Sequence, residues 1–191
     1  MRTHILISMV IALAGPGCDT QDDTREQVQD LQFTALVDND GDGLSYNDVT
    51  SSIRLSDYFA DNQPDTRLIL LNAAAGWCDP CAREAAALPD FTAEYGPRGV
   101  VTLTALLQDQ SGDPCDEEFA RLWAETFSLA NPVLIDTDFQ TGLYFNANTM
   151  PANMVIDART HEILLIATGA GVGEDPLREY RQFFDSVLDT P

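Results

Sequence analysis

The segment RLILLNAAAGWCDPC, residues 67–81, joins a continuous apolar run directly to a pair of cysteines. An apolar run without alternation is typical of a strand covered on both faces, as in a sheet packed between helices. Residues 79–95 continue with helix formers and an alanine-rich face, and Gly96-Pro97 ends that pattern. We therefore expect a buried strand that leads into the cysteine pair, followed by a helix that begins there.

Cys78 and Cys81 are separated by two residues and can close a small disulfide ring at the start of this helix. The positive end of the helix dipole lowers the pKa of the first thiol, which makes Cys78 the expected nucleophile. Cys81 lies one helical turn further in and is expected to attack the resulting mixed disulfide. The spacing therefore predicts a catalytic dithiol.

Two other interpretations of the cysteine pair stay open. A zinc site needs four ligands, but the chain has no second cysteine pair, and His4 and His161 are scattered. A purely structural disulfide across so short a ring would constrain the unfolded chain little. Redox chemistry is favoured over both, and we predict no metal and no bound cofactor at this pair.

The rest of the chain predicts one α/β domain with a mixed central sheet and helices on both faces. Hydrophobic patterns predict strands at residues 100–107, 133–135, 153–157 and 162–168, and helices at residues 117–129 and 176–188. The first of these helices has an apolar stripe, expected in the core, of Phe119, Leu122, Trp123 and Phe127. The final helix has a corresponding stripe of Leu177, Tyr180, Phe184 and Val187.

Three motifs in the chain carry a family resemblance. The sequence Gly76-Trp77-Cys78-Asp79-Pro80-Cys81 resembles the WCxPC site of the thioredoxin superfamily, especially its TlpA/ResA-like envelope branch. Glu84 matches an acid often found in that branch, and Met150-Pro151 resembles its cis-proline element. The resemblance covers residues 53–188 and implies a thioredoxin-like fold.

The resemblance also implies a thiol-disulfide oxidoreductase that acts on protein dithiols or disulfides and exchanges electrons with another thiol protein. It implies that Pro151 packs beside the dithiol and that the backbone of Met150 pairs with an extended substrate strand. Trp77 is assigned to the same substrate-binding surface. Non-catalytic relatives, metallochaperones or binding modules on the same fold, usually have a C-x-x-x-C pair and a partner histidine, so that alternative is less favoured.

The chain departs from the family pattern inside the site. Thioredoxin has a buried Asp six residues before the first cysteine, and here that position is Asn72. Glu84 is therefore the best candidate for proton transfer with Cys81, although a solvent-facing helix acid is the alternative. The usual helix proline is Ala86 here, and Pro89 follows three residues later. Asp79 should repel a thiolate at Cys78, which favours a reductant over an oxidant.

The N-terminal residues predict export to the bacterial cell envelope. Arg2 and His4 precede a short apolar run at residues 5–14, which is typical of a signal peptide. Gly15-Pro16-Gly17-Cys18 resembles a lipobox, so residues 1–18 are assigned as a signal peptide that ends at a lipidated Cys18. Ordinary cleavage with an incidental cysteine is the alternative, because Gly15 replaces the usual Leu.

Residues 19–30 are acidic and nearly free of apolar side chains, which predicts a flexible tether between membrane and domain. The domain is assigned to residues 31–191. We expect a membrane-anchored protein that faces the periplasm.

The net charge of −21, from 31 acidic and 10 basic residues, excludes nucleic-acid binding as a function. All ten basic residues are Arg, and the absence of Lys excludes Schiff-base chemistry. Asp38, Asp40 and Asp42 have the spacing of a calcium loop, but Val49 occupies the place of the bidentate Glu. An acidic turn between strands is favoured there. Flanking acids should raise the pKa of Cys115 and make it unreactive, and pairing of this odd cysteine with a second molecule is the alternative.

Overall fold

The computed structural model describes residues 26–39, 43–45, 48–169, 171 and 173–189. The predicted signal peptide, the predicted lipidation site Cys18 and residues 19–25 of the predicted tether lie outside the described residues. Asp40 and Asp42 of the candidate calcium loop also lie outside them.

A seven-stranded mixed sheet forms the centre of the domain, in the order β2-β1-β5-β4-β3-β6-β7. The strands are β1 Gln32–Leu36, β2 Thr50–Arg54, β3 Leu68–Ala74, β4 Val100–Leu106, β5 Val133–Ile135, β6 Ala152–Asp157 and β7 Ile163–Thr168. Strands β3, β4 and β5 are parallel to one another, and the remaining pairs are antiparallel. The predicted mixed sheet is confirmed.

In the described part of the chain, three helices pack on this sheet: α1 Asp79–Tyr95, α2 Glu117–Phe127 and α3 Arg178–Leu188. Phe91 and Tyr95 of α1 contact Phe184 of α3, with ring centroids 5.5 and 5.6 Å apart. Short 3₁₀ helices cover Leu55–Tyr58, Gly96–Arg98, Gln140–Leu143 and Ala147–Thr149. Pro89 lies inside α1, which continues to Tyr95.

Strand β3 is an interior strand of the sheet, between β4 and β6, and leads to the cysteine pair. All seven of its residues are buried, so both faces of the sheet are covered at this strand, as its continuous apolar sequence predicts. Its parallel neighbour β4 is in register, with Leu106 opposite Ala74. The segments that follow β3 and β4 therefore lie at the same edge of the sheet.

The segment after β4 packs directly on the turn between β3 and α1. The amide of Gly76 donates a hydrogen bond to the carbonyl of Gln108 over 2.8 Å. A Cβ atom on Gly76 would lie 2.6 Å from backbone atoms of Asp109 and Gln110 and from the Phe119 ring. Only glycine allows this close approach of the two segments.

Residues 26–30, which the sequence assigns to the tether, lie against the domain. Val28 is buried, and its amide donates to the carbonyl of His161 over 2.9 Å. Gln27 forms an antiparallel bridge with Glu162 at the start of β7. The apolar side chain of Val28 and these backbone hydrogen bonds hold residues 26–30 against the domain.

Details of the predicted helices differ from the structure. Leu122 was expected in the core but is 50% exposed, because α2 turns Phe119 and Trp123 inward and leaves Leu122 at the side. Helix α2 ends two residues earlier than predicted, since Ser128 adopts a left-handed conformation with φ 52°. Val187 of α3 is only half-buried, and Leu188 is buried instead.

Among the helices within the described residues, none is long and apolar enough to cross a bilayer.

Candidate active site

The cysteine pair caps the N-terminus of α1, as the sequence predicts. Cys78 is the N-cap residue, and its sulfur accepts a hydrogen bond from the amide of Cys81 over 3.2 Å. The two residues form a disulfide, with their Cα atoms 5.2 Å apart. Cys78 is 4% exposed and Cys81 is 1% exposed. The outer cysteine is therefore the more accessible one, which fits its expected role as nucleophile.

Trp77 lies at the surface beside this disulfide. Its side chain is 44% exposed, and its indole Nε1 donates to Oε1 of Gln108 over 2.9 Å. Nε2 of the same Gln108 side chain donates to the carbonyl of Gly112 over 2.7 Å. The loop after β4 therefore fixes the orientation of the indole, and sequence reasoning had no signal for Gln108.

The predicted cis-proline element lies at the same edge of the sheet. The Met150-Pro151 bond is cis, and Pro151 is buried. Strand β6 begins at the next residue, Ala152, which lies opposite Ala73 of β3. The backbone of Met150 is extended and makes no backbone hydrogen bond to another described residue.

Glu84 is fully buried, at 0% exposure, one turn after Cys81 on the same face of α1. Its Oε2 accepts hydrogen bonds from Nδ2 of Asn72 over 2.9 Å and from Nδ2 of Asn153 over 3.0 Å. Asn72 Nδ2 also donates to Oδ1 of Asn153 over 2.9 Å. These three side chains form a closed polar cluster behind the disulfide. The solvent-facing alternative for Glu84 is therefore wrong.

Burial raises the pKa of Glu84 to about 7, while the amides of Asn153 and Asn72 act in the opposite direction. A carboxyl group with this pKa can both take and release a proton near neutral pH. Its Oε1 and Oδ1 of Asn72 have no hydrogen-bond partner among the described residues. Both are buried acceptors, so a proton or a water molecule would complete the cluster.

Tyr180 of α3 extends this cluster. Burial raises the pKa of its hydroxyl, and the nearby charge of Glu84 raises it further, while a hydrogen bond with Asn153 lowers it. The sequence assigned Tyr180 only to an apolar stripe. Asn153 was also missed, although a polar residue inside the otherwise apolar run Ala152–Ile156 was a usable signal.

Cys115 is a buried thiol, 1% exposed, that lies apart from the disulfide pair. Burial is the main cause that raises its pKa to about 12, with smaller contributions from Asp116, Asp109 and Asp136. The predicted direction is confirmed, but the predicted cause, flanking acids, ranks second to burial. Its sulfur donates to the carbonyl of Asp116 over 3.4 Å.

The candidate calcium loop is described only in part. Oδ2 of Asp38 accepts from the amide of Gly43 over 3.0 Å. The buried carboxylate of Asp48 accepts from the amides of Asn39 and Ser45 over 3.3 and 2.7 Å. These bonds are typical of an acidic turn. Within the described residues no group of three His, Cys, Asp or Glu side chains could hold a metal ion.

His161, the histidine considered for a metal-binding alternative, lies at the opposite end of β6 from Pro151. It occupies the hairpin between β6 and β7, as predicted, and stacks on Phe59 with ring centroids 4.0 Å apart. The structure therefore does not bring it to the cysteine pair.

The sequence was compared with known families and proteins. No family model matches the chain. The chain is 30% identical over 122 residues to the thiol-disulfide oxidoreductase ResA of Geobacillus kaustophilus, covering 64% of this chain and 63% of that protein. It is 31% identical over 94 residues to the thioredoxin-like protein YneN of Bacillus subtilis, covering 48% of this chain and 51% of that protein. The chain thus spans between half and two thirds of the length of these relatives.

A solved structure of a DsbF homologue from Corynebacterium diphtheriae is similar over 94% of this chain and 100% of its own, with a TM-score of 0.62. At 18% identity, this similarity establishes the fold alone. The chain therefore has a thioredoxin-like fold, and its sequence is similar to those of a thiol-disulfide oxidoreductase and a thioredoxin-like protein.

Proposed function

We propose that this protein is a thiol-disulfide oxidoreductase that reduces disulfides of other proteins outside the cytoplasm. The observation that carries the proposal is the buried carboxyl of Glu84, which lies one turn behind a cysteine pair at a helix N-terminus. A purely structural disulfide has no need of a buried proton acceptor, which is costly to retain in a folded core.

The reaction begins from the reduced dithiol. The thiolate of Cys78 attacks one sulfur of a substrate disulfide, so that a mixed disulfide forms and one substrate thiolate leaves. Cys81 then passes its proton to Glu84, and its thiolate attacks the Cys78 sulfur. The second substrate thiolate leaves, and both electrons have moved to the substrate. The Cys78–Cys81 disulfide that remains is the form of the described structure.

Substrate binding is proposed at the edge of the sheet beside the dithiol. The extended backbone of Met150 would pair with an extended segment of the substrate, next to the buried Pro151. Trp77, exposed and fixed by Gln108, would supply an apolar contact for the same segment. Reduction of the disulfide for the next cycle requires a partner protein with a dithiol.

A trapping experiment tests the assigned roles of the two cysteines. Cys81→Ser removes the resolving thiol, so substrates should stay joined to Cys78 as mixed disulfides in envelope extracts. Cys78→Ser is the matched control, and it should trap nothing. Equal capture by both variants, or no capture by either, would refute the proposed exchange at this site.

The direction of electron flow rests on Asp79, an exposed residue in the first turn of α1. Its charge disfavours a thiolate at Cys78, and a disulfide whose thiolate is less stable is a weaker oxidant. We expect a reduction potential nearer thioredoxin's roughly −270 mV than the roughly −120 mV of a strong periplasmic oxidant. Asp79→Asn should make the pair more oxidising in equilibrium with glutathione. A shift in the other direction would contradict this electrostatic control.

Anchoring through a lipidated Cys18 is part of the proposal. The small residues before Cys18 support it, and mass spectrometry of the mature N-terminus tests it. Stable attachment needs more than one acyl chain, as lipoproteins have. A Cys18→Ala protein should leave the membrane fraction, and its retention there would contradict anchoring through this residue.

A further inference from the structure

Asn153 is a buried polar residue in the middle of an apolar sheet. It is 0% exposed, and its neighbours along β6, Ala152 and Met154, are fully buried as well. A buried amide is tolerated when both of its ends form hydrogen bonds. Nδ2 of Asn153 donates to Glu84, and Oδ1 accepts from Asn72. Both ends of the Asn153 amide therefore form hydrogen bonds inside the Glu84 cluster.

The sheet register explains why these groups meet. Asn153 and Asn72 lie directly opposite each other in the antiparallel pair of β6 and β3, so their side chains share one face. Helix α1 places Glu84 over that pair. Because Asn153 follows Pro151 by only two residues, it connects the strand of the proposed substrate site to the helix that carries the dithiol.

Glu84 is surrounded by groups from two strands and two helices. Asn72 comes from β3, Asn153 from β6 and Tyr180 from α3, while Cys81 precedes Glu84 on α1. No charged side chain is among the causes that shift the pKa of Glu84. The amides of Asn72 and Asn153 are therefore the main groups that stabilise the ionised form of Glu84, and they oppose the effect of burial on its pKa.

We propose that Asn153 is a positioning residue of the dithiol reaction, which holds the Glu84 carboxyl in one orientation behind Cys81 and keeps it able to accept a proton. This inference rests on the proposed exchange function. Without the Asn153 amide, the buried carboxyl would hold its proton to higher pH, and Cys81 would lose its acceptor near neutrality.

The test separates the two chemical steps with the neutral probe 4,4′-dithiodipyridine. The reduced protein should release pyridinethione in two phases, the first from attack by Cys78 and the second from attack by Cys81 on the mixed disulfide. In Asn153→Leu, the pH midpoint of the second phase should rise by about one unit. The first phase should keep its pH profile. Carbon NMR titration of the Glu84 carboxyl should show the same upward shift.

Asn131→Leu is the matched control. Asn131 is also a buried asparagine. Its Nδ2 donates to the hydroxyl of Thr104 over 3.0 Å and to the carbonyl of Pro132 over 3.3 Å, and within the described residues no hydrogen bond joins it to Glu84. This variant loses a comparable hydrogen bond, so it should lose stability but leave both phases at the wild-type pH. A second variant, Asn153→Thr, keeps a hydroxyl donor in a strand-compatible residue and should show a smaller shift than Asn153→Leu.

The outcomes distinguish this inference from the proposed function. A wild-type protein that releases no pyridinethione in the first phase would refute the exchange function itself. If the wild type shows both phases but Asn153→Leu moves the second midpoint by less than roughly 0.3 unit, the role of Asn153 is refuted. An equal shift in Asn131→Leu would also refute it, because the effect would then come from destabilisation alone.

Discussion

Glu84 is a fully buried carboxyl group, so its protonation state affects the free energy of unfolding. Burial raises its pKa from 4.5 to about 7, so the folded state favours the neutral form. Below pH 4.5 the carboxyl is neutral in both the folded and the unfolded protein, so it lowers folding stability little. As the pH rises from 4.5 to 7, the unfolded chain releases the proton and the folded chain retains it, so folding stability falls.

Replacement of Glu84 by Gln should remove this pH dependence. Between pH 4.5 and 7 the wild type should lose on the order of 3 kcal/mol relative to Glu84→Gln, after the changes common to both proteins are subtracted. Urea unfolding at a series of pH values, with the disulfide intact, measures the difference. Parallel stability curves for the two proteins over this interval would contradict a raised pKa at Glu84.

The sequence predicted the residues of the site whose roles follow from local spacing. Cys78, Cys81 and Glu84 lie within two turns of one helix, so their relation is readable along the chain. Asn153 and Tyr180 join the site only through strand register and helix packing. A single sequence contains no direct measure of either, because both depend on how distant segments meet.

Among the elements, the turn between β3 and α1 is constrained by the segment that follows β4. Gly76→Ala would place a methyl group within 2.6 Å of two backbone atoms, and a backbone cannot move as easily as a side chain. The variant should lose about 1–3 kcal/mol of stability and displace Gln108 from Trp77. Chemical denaturation and the fluorescence of the indoles, compared with wild type, measure both effects.

Gly96→Ala is the control for this substitution. Gly96 has φ −53°, and a Cβ atom there meets no atom within 4 Å. That variant should be neutral or gain about 0.4–1 kcal/mol, because alanine restricts the unfolded chain. Equal destabilisation at both positions would show that the close approach at Gly76 is not what matters.

The strength of the hydrophobic pattern separates the elements that could be predicted from those that could not. Strands β3 and β5 and helix α1 have long buried runs or clear terminators, and their predicted positions agree with the structure. The sequence indicated strands around the acidic turn but not their bounds. The reason is that β2, residues Thr50–Arg54, has a single buried side chain, Ile53. Its place in the sheet comes from pairing with β1 rather than from its own pattern.

For the molecule as a whole, the net charge of −21 sets the electrostatic field that an approaching molecule meets. Several arginines are already engaged with acids, as in the contacts of Arg98 with Asp185 and Asp189. Near the dithiol, Asp79 and Asp113 are exposed, so the local field has the same sign as the total. A basic partner should therefore approach this edge of the sheet faster than an acidic one.

The reaction rates of the reduced protein with two disulfide peptides test this expectation. The peptides differ only in charge, one being rich in Arg and the other in Glu. At about 10 mM salt, where the screening length is about 30 Å, the reduced protein should react at least roughly tenfold faster with the basic peptide. At about 1 M salt the screening length falls to about 3 Å, and the ratio of the two rates should approach one. Neutral 4,4′-dithiodipyridine is the control, because its rate should change little with salt. A preference for the basic peptide that persists at high salt would place selectivity in direct contacts at Trp77 and Met150 rather than in the long-range field.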